Sequence, residues 1–203
     1  MPTTLLGVEI AGLVLAGGAG RRMGGPKALA RDPDGISWVV LTARMLVAAG
    51  CDPVLVVVGA AAEQVMAELG DEPVVLIEAT DWQEGMSASL RAGLTVLKTN
   101  LEPVAVVVVP VDVPDLTTDV VLRVAATAGT GALVRAVYQG NPGHPVLLGR
   151  EHWSGVIATA TGDEGARTYL RLHTAREVEC ADLISGADVD TIEELPAHHR
   201  RPI

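Results

Sequence analysis

The chain has 203 residues, 49% of them hydrophobic, and a formal net charge of −10 at pH 7. This length and composition suffice for one well-packed domain, and the acidic balance excludes a protein that binds nucleic acid through a broad basic surface. With two tyrosines and no phenylalanine, the chain also lacks the aromatic platforms on which single-strand binders stack bases.

The apolar segments predict neither a membrane span nor a leader peptide. The apolar run Val104–Val111 is far shorter than the ~20 residues of a membrane helix. The stretch Leu5–Leu15 contains Glu9 and has no basic start or cleavage site, which favours a first strand over a signal peptide. Cys51 and Cys180 lack metal-ligand spacing and are typical of buried thiols in a reducing compartment. We therefore expect a cytoplasmic protein.

In the first two thirds of the chain, Val/Ile/Leu runs alternate with amphipathic stretches. This alternation predicts buried parallel strands joined by helices in a doubly wound α/β sheet. Strands are predicted at Ile10–Leu15, Val54–Val58, Val74–Ile77 and Val104–Val109. Helices are predicted at Trp38–Ala49, with Ser37 as N-cap, and at Ala61–Leu69, Ser87–Leu97 and Thr117–Ala128.

After Gly131 the pattern changes. A β-ribbon is predicted from Ala132–Tyr138 and His144–Leu148, which flank the loop Gln139–Gly143. The remaining predicted elements are helices at Arg150–Ala160 and Glu164–His173 and a strand near Glu177–Cys180. We expect this segment to form a small ribbon and helix subdomain over the carboxyl ends of the parallel strands, where open α/β sheets bind ligands. We expect the tail residues His198 and His199 to be disordered.

The segment Leu15–Lys27 follows the first predicted strand, and five of its thirteen residues are glycine and three are basic. Glycines allow backbone N–H groups to surround a phosphate chain, and basic side chains compensate its charge. Position 23 is methionine and no glycine directly precedes Lys27, so neither the dinucleotide fingerprint nor the P-loop is present. A flexible turn with solvated arginines is the alternative. The chain has only one other lysine, Lys98, which favours a polyphosphate cradle.

These residues, Leu-Ala-Gly-Gly-x-Gly-x-Arg-Met-Gly-x-x-Lys, resemble the signature of the MobA-like NTP transferases, which transfer a nucleoside monophosphate from an NTP. Further blocks are similar, in order, to the molybdenum cofactor cytidylyltransferase branch: Gly85–Leu94, Val111–Pro114, Gly140–Pro145, Gly162–Arg167 and Asp188–Thr191. The resemblance covers essentially the whole chain. It implies a single three-layer nucleotidyltransferase domain over residues 1–203, with an NTP-binding half at about 1–115 and an acceptor-binding half at about 116–203.

The resemblance also implies a nucleotide site. It comprises Leu15, Ala16, Gly17, Gly18, Ala19, Gly20, Arg21, Arg22, Lys27, Gly85, Met86, Ser87 and Ser89. Arg22 and Lys27 would act in catalysis by stabilising charge on the triphosphate and the leaving group. Arg21 is expected to point elsewhere, and a simple N-cap is the alternative role for Ser87. As a loop residue, Lys27 is expected to contact ligand rather than the core, so its loss should leave stability unchanged.

Two carboxylates are expected to hold Mg²⁺. Asp112 follows a buried strand, where it could be a turn residue or a metal ligand, and the resemblance implies a catalytic metal ligand. Asp190 is the second expected ligand, with capping of a short helix at Thr191–Leu195 as its alternative role. Asp115 is expected to be an N-cap.

The resemblance implies that Asn141, His144, Asp163 and Arg167 bind the second substrate. The expected reaction is transfer of CMP from CTP to the terminal phosphate of a molybdopterin-type cofactor. The pair Gly17-Gly18 resembles the guanylyltransferase branch instead, so GTP stays open as the nucleotide. A sugar-phosphate acceptor also stays open, as does a non-catalytic nucleotide-binding or handover protein. We expect a monomer or weak homo-oligomer, with a molybdoenzyme as a possible client.

Overall fold

The computed structural model describes residues 8–100 and 103–202. Its strands are β1 (Ile10–Ala16), β2 (Val54–Val58), β3 (Val75–Glu78), β4 (Ala105–Pro110), β5 (Leu133–Tyr138), β6 (Asn141–Gly149) and β7 (Arg176–Glu179). They form one seven-stranded sheet in the order β3-β2-β1-β4-β6-β5-β7. Strand β1 pairs in parallel with β2 and with β4. Every residue of these three strands is buried, which confirms the burial predicted for three of the four apolar runs. The burial predicted for Val74–Ile77 is wrong, because β3 lies at the edge of the sheet and Val75 and Leu76 are exposed.

Helices cover both faces of the sheet. They are α1 (Trp38–Ala48), α2 (Ala62–Leu69), α3 (Met86–Asn100), α4 (Thr118–Ala125), α5 (Arg150–Thr159) and α6 (Arg167–Leu172). Helices α1, α2 and α4 contribute to one apolar cluster, together with strand residues such as Val14. Helices α3, α5 and α6 contribute to a second cluster, which receives the alternate residues Leu13 and Leu15. Because neighbouring strand residues point to opposite faces, the three-layer α/β architecture expected from the sequence is confirmed.

The β5–β6 hairpin lies in the main sheet, which differs from the expected placement over the strand ends. Strand β6 pairs antiparallel with β4, with Val146 opposite Val108. Most of the predicted loop is strand, since only Gln139 and Gly140 form the turn, with φ of 53° and 79°. The hairpin joins the sheet because Leu147 and its neighbours are buried on both faces, which an exposed ribbon could not achieve.

Two expected helix caps are wrong in detail. Ser37 occupies the N-cap position of α1, but its buried hydroxyl makes no capping hydrogen bond and has no partner among the described residues. Asp115 does not cap α4, whose N-cap position is Thr117. Its carboxylate instead accepts hydrogen bonds from the backbone N–H of Ser185 at 3.1 Å and from the Ser185 hydroxyl at 2.6 Å. The carboxylate therefore fastens the C-terminal segment to the sheet.

Glu179, at the end of β7, organises a second connection. Its carboxylate accepts hydrogen bonds from the backbone N–H groups of Gln139, Gly140, Cys180 and Ala181. These hydrogen bonds, that of Ala181 first, hold the pKa of Glu179 below its ordinary value. The exposed carboxylate thus ties the hairpin turn to the end of the edge strand.

The C-terminal tail is ordered against α1, so the expectation of disorder at His198 and His199 is wrong. The indole N–H of Trp38 donates to Nδ1 of His199 at 3.1 Å. Backbone hydrogen bonds join Arg31 and Arg200 in both directions, at 2.9 and 2.8 Å. These contacts bring the tail over the loop that follows β1.

Both cysteines are buried and free, as expected, and burial raises the pKa of the Cys51 thiol to about 12. Within residues 8–100 and 103–202, no helix has the length and apolarity needed to cross a membrane.

Candidate active site

The loop after β1 is closed by backbone contacts that require glycine. Gly20 has a φ of 57°, and its carbonyl accepts hydrogen bonds from Met23 N at 2.9 Å and Gly25 N at 3.2 Å. A Cβ atom on Gly20 would lie 1.9 Å from the carbonyl oxygen of Gly25. A larger residue would therefore disrupt the loop, both by overlap and by backbone strain.

The first backbone N–H groups of the closed loop donate no hydrogen bond within the described residues. Among the described residues, no hydrogen-bond acceptor contacts the backbone N–H groups of the five residues from Gly18 to Arg22. The side chains of Arg21 and Arg22 are also exposed. A run of free amides beside two guanidinium groups is suited to an anion such as a polyphosphate.

Lys27 joins the two carboxylates that the sequence selected as metal ligands. Its Nζ lies 2.8 Å from Oδ2 of Asp112 and 2.6 Å from Oδ1 of Asp190. Arg22 donates to the other oxygen of Asp190 at 2.8 Å. The backbone N–H of Val189 donates to the carbonyl of Asp112 at 2.8 Å, which fastens the tail to the end of β4. The site thus combines residues that lie up to 168 positions apart in the chain.

The ion pairs set the protonation states of this cluster. Burial lowers the pKa of Lys27, but the charges and hydrogen bonds of Asp112 and Asp190 outweigh it, so the net pKa is raised. The hydrogen bond from Lys27, followed by its charge and that of Arg22, lowers the pKa of Asp190 against the effect of burial. The ammonium and the Asp190 carboxylate are therefore both charged at neutral pH.

The carboxylates of Asp112 and Asp190 fit a divalent cation. Both reach one cationic atom, Nζ of Lys27, so their oxygens lie close enough to bind a single ion. In the described part of the chain no cluster of three or more acidic, histidine or cysteine side chains could hold a metal by itself. Such a donor pair suits Mg²⁺ or Mn²⁺, because these ions use one or two carboxylates and complete their shell with substrate phosphates and water.

Asp112 lies in the turn after β4, whereas the alternative role of Asp190, capping of a short helix, is not observed. The short helix expected after Asp190 is a 3₁₀ turn, Ile192–Glu194, and Thr191 caps it together with Glu194. Asp190 contributes only its backbone N–H to this cap, at 2.8 Å from Glu194. Its side chain is therefore free to face Lys27.

A cavity of about 170 Å³ begins beside Asp112. Its apolar lining includes Leu15, Leu90, Val108, Val146, Leu148 and Leu170. Its polar lining comprises Asp112, Arg135, His144, Asp163, Glu164, Arg167 and Asp188. Buried atoms without a partner occur on two of these side chains, at Nδ1 of His144 and Nε of Arg135. A concave space that combines apolar side chains with polar groups can hold a small molecule.

The model of the MobA-like NTP transferase domain matches residues 12–179. This chain belongs to the MobA-like NTP transferase family. The match covers β1 to β7 and includes the glycine loop, Lys27, Asp112 and most of the cavity lining.

A relative and several solved structures resemble this transferase. Nicotine blue oxidoreductase from Paenarthrobacter nicotinovorans is 33% identical over 92% of this chain and 94% of its own length. A nucleotidyl transferase from Methanothermobacter thermautotroptrophicus has a TM-score of 0.78 at 19% identity, covering 92% of this chain and 94% of that chain. Rv0371c from Mycobacterium tuberculosis has a TM-score of 0.78 at 26% identity, covering 92% and 95%. The mycobacterial protein has also been solved as a complex with manganese. The family and the fold of these neighbours make the chain a nucleotidyltransferase enzyme.

The serines expected in the nucleotide site of the transferase lie beneath its surface. Ser87 is fully buried and its hydroxyl accepts a hydrogen bond from the backbone N–H of Gly165 at 3.1 Å. Ser89 is 4% exposed and faces Gly17, where an added Cβ would lie 2.5 Å from its hydroxyl oxygen. Ser87 therefore links α3 to the segment before α6, and it does not act as an N-cap for α3.

The structure brings three of the four expected acceptor residues to the cavity. His144, Asp163 and Arg167 line it, and Asp163 also accepts a hydrogen bond from the N–H of Met86 at 3.2 Å. Burial lowers the pKa of His144, although the charges of nearby carboxylates oppose this effect. Asn141 lies at the exposed hairpin turn, paired with Tyr138, and is not part of the cavity lining.

Arg135 is the cavity residue that the sequence analysis missed. It lies on β5 and reaches the same cavity as His144 and Arg167. Its signal in the sequence is that it is the only charged residue in the strand Leu-Val-Arg-Ala-Val-Tyr. A charge in a buried strand is costly without a partner, so such a residue is a candidate for binding.

Proposed function

We propose that this enzyme transfers CMP from CTP to the terminal phosphate of a molybdopterin-type cofactor in a Mg²⁺-dependent reaction. The single observation that carries the proposal is the position of Lys27, which joins Asp112 and Asp190 between the free amides of the glycine loop and the cavity. This arrangement supports a triphosphate along Gly18–Arg22 and a second substrate in the cavity. The N-terminal half would bind the nucleotide, but Asp190 reaches it from the C-terminal half.

In this reaction an oxygen of the acceptor phosphate attacks the α-phosphorus of CTP. A new P–O bond forms, the bond from the α-phosphorus to the α,β-bridging oxygen breaks, and pyrophosphate leaves with that electron pair. The attacking oxygen is already anionic, so no general base is needed. Lys27 and Arg22 would stabilise negative charge on the triphosphate and the leaving group. A Mg²⁺ ion held by Asp112 and Asp190 would supply further charge neutralisation on the phosphate oxygens.

The proposed preference for CTP follows from the contact of Gly17 with Ser89. The pair Gly17-Gly18 is the feature that resembles guanylyltransferases. A Cβ atom at residue 17 would overlap the Ser89 hydroxyl. Packing against Ser89 therefore explains why residue 17 is glycine, and the glycine is no evidence for binding of a purine base. The remaining evidence on the nucleotide is the Gly85–Leu94 block, which resembles the cytidylyltransferase branch and favours CTP.

The proposal is tested by pyrophosphate release from each of the four NTPs, with and without a molybdopterin acceptor, in the presence of Mg²⁺. Release from CTP that depends on the acceptor is the expected result. Faster consumption of GTP would favour guanylyl transfer, and release with a sugar phosphate alone would change the acceptor class. Nucleotide binding without release under any condition would indicate a non-catalytic binding or handover protein. Asp112→Asn provides the inactive control.

A second candidate function is suggested by the relative named nicotine blue oxidoreductase, at 33% identity over 92% of the chain. The free amides of Gly18–Arg22 would suit the pyrophosphate of a nicotinamide dinucleotide as well as a triphosphate. A hydride from the reduced dinucleotide, together with a proton, would reduce an aromatic acceptor in the cavity. Oxidation of NADH or NADPH that requires nicotine blue would support this activity. Absence of such oxidation would leave nucleotidyl transfer as the favoured reaction.

A further inference from the structure

Asp190, one of the two carboxylates at Lys27, lies on a segment without regular secondary structure. Residues 184–190 form neither helix nor strand, and the match to the family domain ends at residue 179. The position of the Asp190 side chain therefore depends on how the tail, residues 189–202, is fastened to the rest of the protein. The tail is anchored at two places, one on each side of Asp190.

The first anchor is Val189, the residue directly before Asp190. Its backbone N–H donates to the carbonyl of Asp112 at 2.8 Å. Its side chain is 5% exposed and belongs to an apolar cluster with Met23 and Trp38. Met23 lies in the loop that follows β1, and Trp38 is the first residue of α1. Val189 thereby joins the tail to the glycine loop and to a helix.

The second anchor is at the end of the tail. The indole N–H of Trp38 donates to Nδ1 of His199 at 3.1 Å, and the two rings meet edge to face with their centroids 5.8 Å apart. Pro202 is buried and packs on Gly25, where an added Cβ would lie 3.1 Å from Cβ of the proline. The end of the tail therefore also contacts the glycine loop.

Trp38 takes part in both anchors. Its side chain is 1% exposed and shares a cluster with Val189, while its N–H holds His199. A buried indole N–H that loses its acceptor is unfavourable, so loss of the His199 ring would disfavour the packed position of Trp38. The effect would then reach Val189 and, through it, the carboxylate of Asp190.

We propose that Trp38 and His199 are positioning residues of the active site. Their hydrogen bond fastens the tail in the place where the Asp190 carboxylate meets Lys27 at 2.6 Å and Arg22 at 2.8 Å. The inference rests on the proposed function, because Asp190 has its role in that reaction. A displacement of about 1 Å can lower a rate by about 100-fold, so an anchor outside the site can affect turnover.

The test is a titration of the nucleotide-free protein with Mn²⁺, followed by electron paramagnetic resonance. His199→Ala removes the acceptor of the indole N–H, and His199→Asn supplies an amide oxygen in its place. His198→Asn is the matched control at the neighbouring exposed residue. We expect His199→Ala to weaken Mn²⁺ binding about 5-fold, the effect of one lost hydrogen bond, and His199→Asn to restore most of it. The control should bind like the wild type.

Equal Mn²⁺ affinity in wild type and His199→Ala would overturn the proposal. Absence of Mn²⁺ binding by the wild type would also overturn it, because the carboxylate that the tail holds would then bind no metal.

An Asp190→Asn background shows whether His199 acts through Asp190. If it does, adding His199→Ala to Asp190→Asn leaves Mn²⁺ affinity unchanged, because the carboxylate that the tail positions is already lost. A further loss of about 5-fold in the double variant would overturn the proposal. A merely structural hydrogen bond would lower the melting temperature of both backgrounds and the Mn²⁺ affinity of neither, which would overturn it as well.

Pyrophosphate release is measured separately on the same proteins, so that the two proposals can fail independently. Weaker Mn²⁺ binding by His199→Ala, without pyrophosphate release from any of the proteins, would overturn nucleotidyl transfer and leave the positioning role in place. Pyrophosphate release that needs the same Mn²⁺ concentration in wild type and His199→Ala would support transfer and overturn the role of His199.

Discussion

Replacing Lys27 by alanine should reduce both turnover and stability. Lys27 is 16% exposed and donates to Asp112 and Asp190, so its loss leaves two neighbouring carboxylates without their shared cation. Hydrogen bonds between charged groups contribute roughly 1.5–3 kcal/mol each, but Asp190 is one third exposed and solvent screens part of its share. We expect about 2 kcal/mol of destabilisation, or a melting temperature lower by about 4–8 °C for a domain of this size. This corrects the expectation that Lys27 contacts only ligand.

Turnover of Lys27→Ala should fall by about 100-fold or more, the effect of removing one preorganised charge from a transition state. The assay is pyrophosphate release beside a thermal melt with and without Mn²⁺ or Mg²⁺. A divalent ion should raise the melting temperature of Lys27→Ala more than that of the wild type, because it can replace the missing ammonium between the carboxylates. The double variant Lys27→Ala, Asp112→Asn should lose this gain. Near-normal turnover together with an unchanged melting temperature would refute the role assigned to the cluster.

Three further predictions follow from the same structure. Asp112→Asn should abolish metal-dependent turnover in a Mg²⁺ titration while binding of CTP weakens only modestly, since the free amides remain; identical metal dependence would contradict this. Gly17→Ala should shift the CTP to GTP preference in a competition assay without reversing it, within the ~10–200-fold that one methyl can contribute, and a second change, Ser89→Ala, should restore it. Glu179, whose pKa is lowered by backbone hydrogen bonds, should stabilise the fold above the ordinary glutamate pKa of about 4.3 and lose that contribution as the pH falls through its folded value. The stability difference between wild type and Glu179→Gln, from urea melts, should therefore shrink on acidification, and a constant difference would contradict it.

Local features of the sequence were sufficient to predict the parallel strands, the helices between them and the glycine loop. Short apolar runs bounded by turn residues, such as Val54–Val58, favour buried strands, and this pattern is local to a few residues. The glycine loop could be identified for the same reason, because Gly20 and Gly25 act within a few residues of each other. The position of Asp112 just past a buried strand was compatible with a turn residue or a metal ligand, and the family resemblance selected the metal-ligand role.

Features that depend on contacts between distant segments could not be predicted from local sequence patterns. The hairpin was expected outside the sheet, because nothing local to Val146 indicates that β4 offers it an open edge. Asn141 was predicted to bind the acceptor because it lies in the Gly140–Pro145 block, but the two-residue turn places it at an exposed end of the hairpin.

The sequence by itself therefore determined the layered α/β fold, and it predicted the glycine loop and, through the family resemblance, the two carboxylates as site residues. Only the tertiary structure decided that Lys27 bridges Asp112 and Asp190, that the tail packs over the loop, and that Arg135 faces the cavity. The physical reason is the sequence separation over which each kind of interaction acts. Hydrophobic periodicity and glycine conformation act over a few neighbouring residues, whereas an ion pair or a cavity wall is created when packing brings remote side chains together.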